Sequence, residues 1–529
     1  MVGPLPAQRL RSATKPSFTL PAHTAPAHTA MIVCALMLAT CGETFQAEYN
    51  IRLLVVPGQD PLRDAITVSL EAQGTGLQTT VPVKAGKAPA LSLTKLDPRK
   101  VAATTFVVKV NGPQGLLAYG QSPRIRLLRS NGDILITVQA PGTLAPAPVD
   151  PVGPPFPRLA DVNVVTAVAA ETTDPRPVAV PVLLGGRTLG ANDVEQATSL
   201  TSVYNPYFSG IVNLQLSTPT VVGAAVWPRG DGSIWFFGGR PGTMIEDSGA
   251  AYQLRTFQSV TTLGLGLVAT YGSDTVTTPI NRAFSVMAEK DNVLYAFGGE
   301  ATDPTTKVPA ALASVVQILP SAGTAQVVTL SNLVMLTPRV GHTVNAVSVA
   351  AVPTHFLIFG GSVAAGPVAE LMTDAGPVEL GIDAGPLRSG HTVVGRPDGR
   401  LLILGGVGVD GLPLADARIY DPTDRSFAAA PLAIQTPRAN AAIFAVGNDL
   451  VICGGTDAAG TLVATAERFE LTTLAPLPTL AAIPRTGAKV AYLPDGTALL
   501  VGGRANDAKG LRPTSTLELY RPQLIPTIP

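Results

Sequence analysis

Seven times in the C-terminal two-thirds of this chain a short apolar run ends in two glycines. The copies are VPVLLGG, SIWFFGG, VLYAFGG, HFLIFGG, RLLILGG, DLVICGG and TALLVGG, with second glycines at Gly186, Gly239, Gly299, Gly361, Gly406, Gly455 and Gly503. Runs this apolar, and this rich in Leu, Ile, Val and Phe, predict strands buried on both faces. A glycine pair lets the backbone turn through positive φ where a side chain would strike the next strand. A parallel sheet with phosphate-binding turns would need a helix after each pair, and Pro-, Gly-, Thr- and Ala-rich loops follow instead.

The second glycines lie between 45 and 62 residues apart, the repeat range of β-propeller blades. The expected fold is therefore all-β: a propeller over 158–529, of seven blades, or of six with one degenerate copy. Only 14% of residues are charged and Gly plus Pro account for 100 of 529, which fits many short strands joined by tight turns. Lys plus Arg and Asp plus Glu balance at 37 each, so the totals give no reason to expect a nucleic-acid partner.

Upstream, 42–139 alternates as a string of short strands with turn residues between them, the pattern of a small immunoglobulin-like β-sandwich without its Cys-Trp-Cys core. The proline-dense stretch 140–157 reads as a semi-rigid extended spacer and a domain boundary. A segment just after that stretch, or the Leu524–Ile528 tail, is expected to complete the last blade.

Residues 1–41 read as a leader. The uncharged run Ala30–Thr40 has the length of a signal-peptide core and is too short to span a bilayer. Leu38-Ala39-Thr40-Cys41 resembles a bacterial lipobox, which implies lipid attachment at Cys41; Thr40 departs from the small residue usual there. Arg9, Arg11 and Lys15 stand far upstream, so the signal is long or translation begins at Met31. Export to the cell envelope with a lipid anchor, in the outer membrane, is the leading expectation, with simple secretion as the alternative. Of the other cysteines, Cys34 lies in the apolar run and Cys453 in a diglycine strand, where a thiol is expected as a small core residue.

The clearest repeat, PLRSGHTVV, GRLLILGG and ADARIYDPTDRSF from Pro386 to Phe427, resembles a kelch repeat, as do TPRVGHTV, TPRANAAIF and IPRTGAKVAYL elsewhere. Kelch blades usually close with a Trp in the fourth strand; Phe427 and Leu474 take that place here. The resemblance implies a ligand face formed by the loops after the second strand and into the first. Candidates on it are Arg240, Glu300 and Arg504, next after their diglycines, and the regular arginines Arg282, Arg339, Arg388, Arg438 and Arg485 before each first strand. A guanidinium ring can hold an anion; the competing role is tying neighbouring backbones together. His342 and His391 fall at equivalent repeat positions and read as structural, so no metal and no cofactor is expected. The resulting functional expectation is a non-catalytic envelope lipoprotein that binds or scaffolds a protein or glycan. The alternative is a carbohydrate-active enzyme such as an epimerase or mutarotase, for which the sequence alone places no acid/base pair.

Overall fold

The computed structural model describes residues 47–526 except 85, 97–102, 127–131, 149–154, 170–177, 191, 200, 206–209, 215–220, 231–232, 242–250, 262–263, 275–281, 303–305, 320–326, 349–354 and 363–365. The leader and Cys41 lie outside the described residues. Among those described, no helix is long and apolar enough to cross a membrane, and apart from a 3-10 turn at Ile382–Ala384 the regular elements are strands.

Two larger sheets make the first part, beside the short pair Ala103–Thr104 and Ile125–Arg126. Ala47–Val55 sits between Leu91–Leu96, antiparallel, and Gly132–Val138, parallel. The other sheet orders Leu77–Pro82, Thr67–Ala72, Phe106–Gly112 and Gly115–Gln121. In Thr67–Ala72 alternate residues Val68, Leu70 and Ala72 are buried, as the period of a half-buried strand requires. They meet Ile51, Phe106, Val108, Val110 and Ile136 in one core shared by both sheets.

The diglycine region forms seven four-stranded antiparallel units. Repeat one is Asn163–Ala169, Val178–Leu184, Thr201–Asn205 and Gly210–Leu214; repeat two is Ala225–Pro228, Ser233–Phe237, Ala251–Thr261 and Gly264–Asp274. Repeats three and four share the 21-residue strand Val327–Val347. Its first half pairs with Pro309–Leu319, behind Val293–Phe297 and Val286–Lys290; its second half pairs with His355–Ser362, followed by Ala369–Thr373 and Gly376–Leu380. Repeat five is Thr392–Gly395, Leu401–Leu404, Ala417–Asp421 and Ser426–Ala429, and repeat six is Ala442–Val446, Asp449–Cys453, Thr465–Glu470 and Pro476–Ala481. The diglycine strand is the second in each unit, and Ser233–Phe237 and Asp449–Cys453 are buried at every residue.

Repeat seven is Lys489–Tyr492, Ala498–Val501 and Leu517–Arg521, and its fourth strand is Thr143–Pro146. Part of the stretch expected to be a spacer, Thr143–Pro146, therefore belongs to the last sheet and supplies the fourth strand expected from the C-terminal tail or from a segment beyond the prolines. Ala145, Ala147 and Phe156 are buried with Leu499, Leu517 and Leu519. Prolines are tolerated there because an outer strand leaves one edge of its backbone unpaired.

Both glycines of all seven pairs have φ between 55° and 94°. A Cβ on the second would come 2.6 Å from the Thr486 carbonyl at Gly503 and 2.6 Å from the Ser389 carbonyl at Gly406. That contact and that φ together disfavour any other residue. Amides of the second glycines stitch repeats together: Gly239, Gly299, Gly361 and Gly455 donate to the carbonyls of Arg282, Arg339, Arg388 and Arg485 at the start of the following repeat, at 2.7–2.9 Å. Gly503 of the last repeat donates to Leu159, which precedes the first. First strands neighbour one another in order from repeat one to repeat seven, and that of repeat seven lies beside that of repeat one.

Candidate functional site

The five regular arginines are enclosed, each at most 2% exposed. Arg282, Arg339, Arg388 and Arg438 donate to the carbonyl of the first glycine in their own repeat, and all five donate to a carbonyl in or just before its third strand. Each side chain thus ties strands within its repeat. In four of the five, the backbone carbonyl meanwhile receives the preceding repeat's glycine amide. This withdraws Arg282, Arg339, Arg388, Arg438 and Arg485 from a ligand-facing surface.

Four of them carry a carboxylate partner that sequence reasoning misses: Glu370, Asp416, Glu467 and Glu518. Glu370, Glu467 and Glu518 also accept backbone amides from the segment leading into the first-strand arginine: from Leu336 within the strand Val327–Val347, and from Gln435 and Thr436 and from Ile483 in loops, at 2.6–3.0 Å. The available signal is one acidic residue 28 to 33 positions after each of Arg339, Arg388, Arg438 and Arg485. In repeat three Ser314 stands there instead, and burial lowers Arg282 to about 10.

The residues next after the diglycines come out differently. Arg240 of repeat two reaches Glu300 of repeat three at 2.8 Å and the Thr302 hydroxyl at 3.2 Å. Arg504 of repeat seven pairs with Asp161 at 2.7 Å and Glu195 at 2.9 Å, both in repeat one or its approach, and Arg187 adds to Asp161 at 3.6 Å. Burial opposes ionisation of Asp161, but the Arg504 hydrogen bonds and charge outweigh it and hold the carboxyl below its usual range. All these groups are half-buried. The candidates Arg240, Glu300 and Arg504 thus fall into two inter-repeat clusters.

Beside the first cluster lies a residue that sequence reasoning did not single out. The turn entering each first strand contains one residue with positive φ: Asp161, Gly223, Phe284, Gly341, Gly390, Asn440 and Gly487, at 52° to 73°. Glycine, Asn and Asp enter this conformation readily; for a bulky residue it costs about 1–2 kcal/mol. Phe284 does so at φ 57° and is still 41% exposed. Its ring occupies the space a Cβ at Gly223 would take, 2.5 Å away, and the Arg240 guanidinium lies 5.8 Å from the ring centroid. Aligning Arg-Ala-Phe with Arg-Val-Gly, Arg-Ser-Gly and Arg-Thr-Gly marks it.

His342 and His391 are buried against the diglycines of the preceding repeats, and burial lowers both to about 3. Cys453 is buried and its thiol is pushed up to about 12 by desolvation. Phe427 is buried on the fourth strand of repeat five as expected, whereas Leu474 is buried just before the fourth strand of repeat six and not within it. Among the described residues no cluster of His, Cys, Asp and Glu is arranged to hold a metal.

No protein-family model matches this chain, and no curated protein matches it. Among solved structures, that of YjhT is similar over 57% of this chain and 96% of its own, at 13% identity and a TM-score of 0.40.

Proposed function

We propose that the chain is an exported, lipid-anchored envelope protein whose seven sheets close into a kelch-like propeller, and that the face bearing Arg240, Glu300 and Arg504 binds a protein or glycan without turning it over. Closure is supported by the junction of last repeat to first. There Gly503 bonds Leu159, Arg504 pairs with Asp161 and Glu195, Arg158 pairs with Asp507, and Leu159, Val162 and Leu183 share a core with Leu499 and Val501. Closing the ring covers the two sheet faces that an open array would expose.

The observation that favours binding over catalysis is the pairing of charges across adjacent repeats on this face. A general acid must keep its proton near neutrality, whereas Asp161 is held ionised by Arg504. Cross-braced groups make a stiff, charge-balanced surface, and a pre-ordered surface loses little freedom on binding. An array of glycans and peptides, with a reducing-end turnover assay on any sugar retained, tests this. Retention without turnover is expected; turnover overturns it. Two or more acyl chains would give stable membrane hold, and fatty-acid labelling of the wild type and of Cys41→Ala tests the anchor. Label is expected on the wild type alone, and an unlabelled wild type refutes lipid attachment.

A further inference from the structure

We infer that Phe284, with Arg240, Glu300 and Thr302, forms a subsite for a neutral pyranose sugar; this rests on the binding-face reading above and names its ligand class. The observation is a mismatch between strain and burial. Six equivalent turns use Gly, Asn or Asp at the left-handed position, and this one places a phenyl ring there, 41% exposed. Core packing explains only part of that choice, since the residue stays 41% exposed although its ring rests on Gly223. What the ring provides is a flat apolar surface in a fixed orientation, seated over Gly223, whose missing side chain makes room for it. Its backbone is anchored too, since the Phe284 amide donates to the Gly223 carbonyl at 2.7 Å.

Chemistry selects the ligand. A pyranose offers one face of C–H groups, slightly positive, that stacks on the negative face of an aromatic ring. Its edge carries hydroxyls that each donate and accept. The Arg240 guanidinium, a donor, lies 5.8 Å from the ring centroid and is bonded in turn to an acceptor, the Glu300 carboxylate at 2.8 Å, and to the Thr302 hydroxyl at 3.2 Å. Polar groups beside an apolar surface are what orient a small ligand. The Arg240–Glu300 pair is already neutral. An anionic ligand would have to compete with Glu300 for the guanidinium and sit against its carboxylate, which like-charge repulsion opposes. A neutral polyol bridges the pair without separating it.

The test uses the full chain, with N,N′-diacetylchitobiose, lactose and maltotriose as neutral probes and sialyllactose as the acidic one, read by saturation-transfer NMR and titration calorimetry. At least one neutral probe should bind. Phe284→Asn, which suits the left-handed turn as Asn440 does in repeat six, should weaken it at least tenfold with an unchanged or raised melting temperature. Phe284→Trp, which keeps an aromatic face, should retain it. Equal binding by the Asn variant, no binding of any neutral probe, or binding of sialyllactose alone overturns the subsite. Sialyllactose binding alone would leave the binding-face reading standing. Anomer interconversion of a neutral sugar bound through Phe284 would support the subsite and overturn the non-catalytic reading.

Discussion

His342 and His391 lie in neighbouring repeats, each ring in the space over the preceding diglycine: a Cβ at Gly298 would come 2.9 Å from His342 and one at Gly360 2.7 Å from His391. His391 also bonds the Thr343 hydroxyl at 2.9 Å and meets Phe359 edge-on. Burial, with Arg339 or Arg388 close by, lowers both from 6.5 to about 3. The neutral form is the one the fold accepts, so the stabilisation is complete above pH 6.5 and is lost as pH falls towards 3. Between those limits the unfolded chain takes up one proton more per histidine, costing about 1.4 kcal/mol per pH unit each. From about pH 7 to about pH 4.5 the pair accounts for roughly 5 kcal/mol, comparable with the whole stability of many domains. Urea unfolding of the wild type and of His342→Gln/His391→Gln across that range separates this from the cost of the substitutions, because the slope against pH is read and not the intercept. The variant should lose several kcal/mol less than the wild type on acidification. Parallel slopes would refute the assignment.

Three further perturbations probe the ties between strands and repeats. Glu467→Ala leaves the Arg438 guanidinium buried without its counter-charge and should cost about 3–5 kcal/mol in denaturant unfolding; adding Arg438→Met should recover much of that, and additive losses would show the pair is not coupled. Gly502→Ala forces a Cβ to within 2.3 Å of the Leu159 carbonyl, where the last repeat meets the approach to the first, and faster proteolysis near Leu159 is expected; unchanged digestion would count against a tight junction. Cys453, buried and with its thiol raised to about 12, should react with a thiol reagent only after denaturation, and rapid native labelling would contradict its placement.

The parts of this molecule legible in the sequence are those with local causes. An apolar run followed by Gly-Gly defines a buried strand and a left-handed turn wherever it occurs, so seven copies are enough to expect seven similar sheets. The Arg–Glu ties are half legible: Arg339, Arg388, Arg438 and Arg485 recur in an evident motif, whereas Glu370, Glu467 and Glu518 lie on third strands of variable spacing and declare themselves only when those strands pair. Phe284 escapes for the opposite reason, because its oddity is conformational and a phenylalanine near a first strand reads as core. The proline stretch misleads because composition carries no information about partners. Thr143–Pro146 is extended in either reading, and only Leu517–Arg521 beside it makes it a strand.

That strand also decides how the N-terminal sheets relate to the repeats. Were it a spacer, the sandwich would move freely; instead it leads straight from Gly132–Val138 into the last sheet, and the surfaces on either side are fastened by largely buried polar contacts. Tyr119 donates to the Pro522 carbonyl at 2.8 Å, Gln121 to that of Asp495 at 2.9 Å and Gln139 to that of Leu519 at 3.0 Å, while Arg521 donates to the Thr137 carbonyl at 3.0 Å and lies over the Tyr119 ring at 4.9 Å. Buried donors left without acceptors cost about 1–3 kcal/mol each, so separating the two parts would leave several such costs standing along with an unpaired edge at Leu517–Arg521. An exposed edge strand recruits other chains. A chain beginning at residue 158 should therefore associate or aggregate where the longer one stays monodisperse by size-exclusion chromatography with light scattering, and adding back a separately made 47–148 fragment should suppress it. A stable, monodisperse 158–529 fragment would show that the last sheet holds without its fourth strand, and that the N-terminal sheets are an attachment rather than part of the repeat fold.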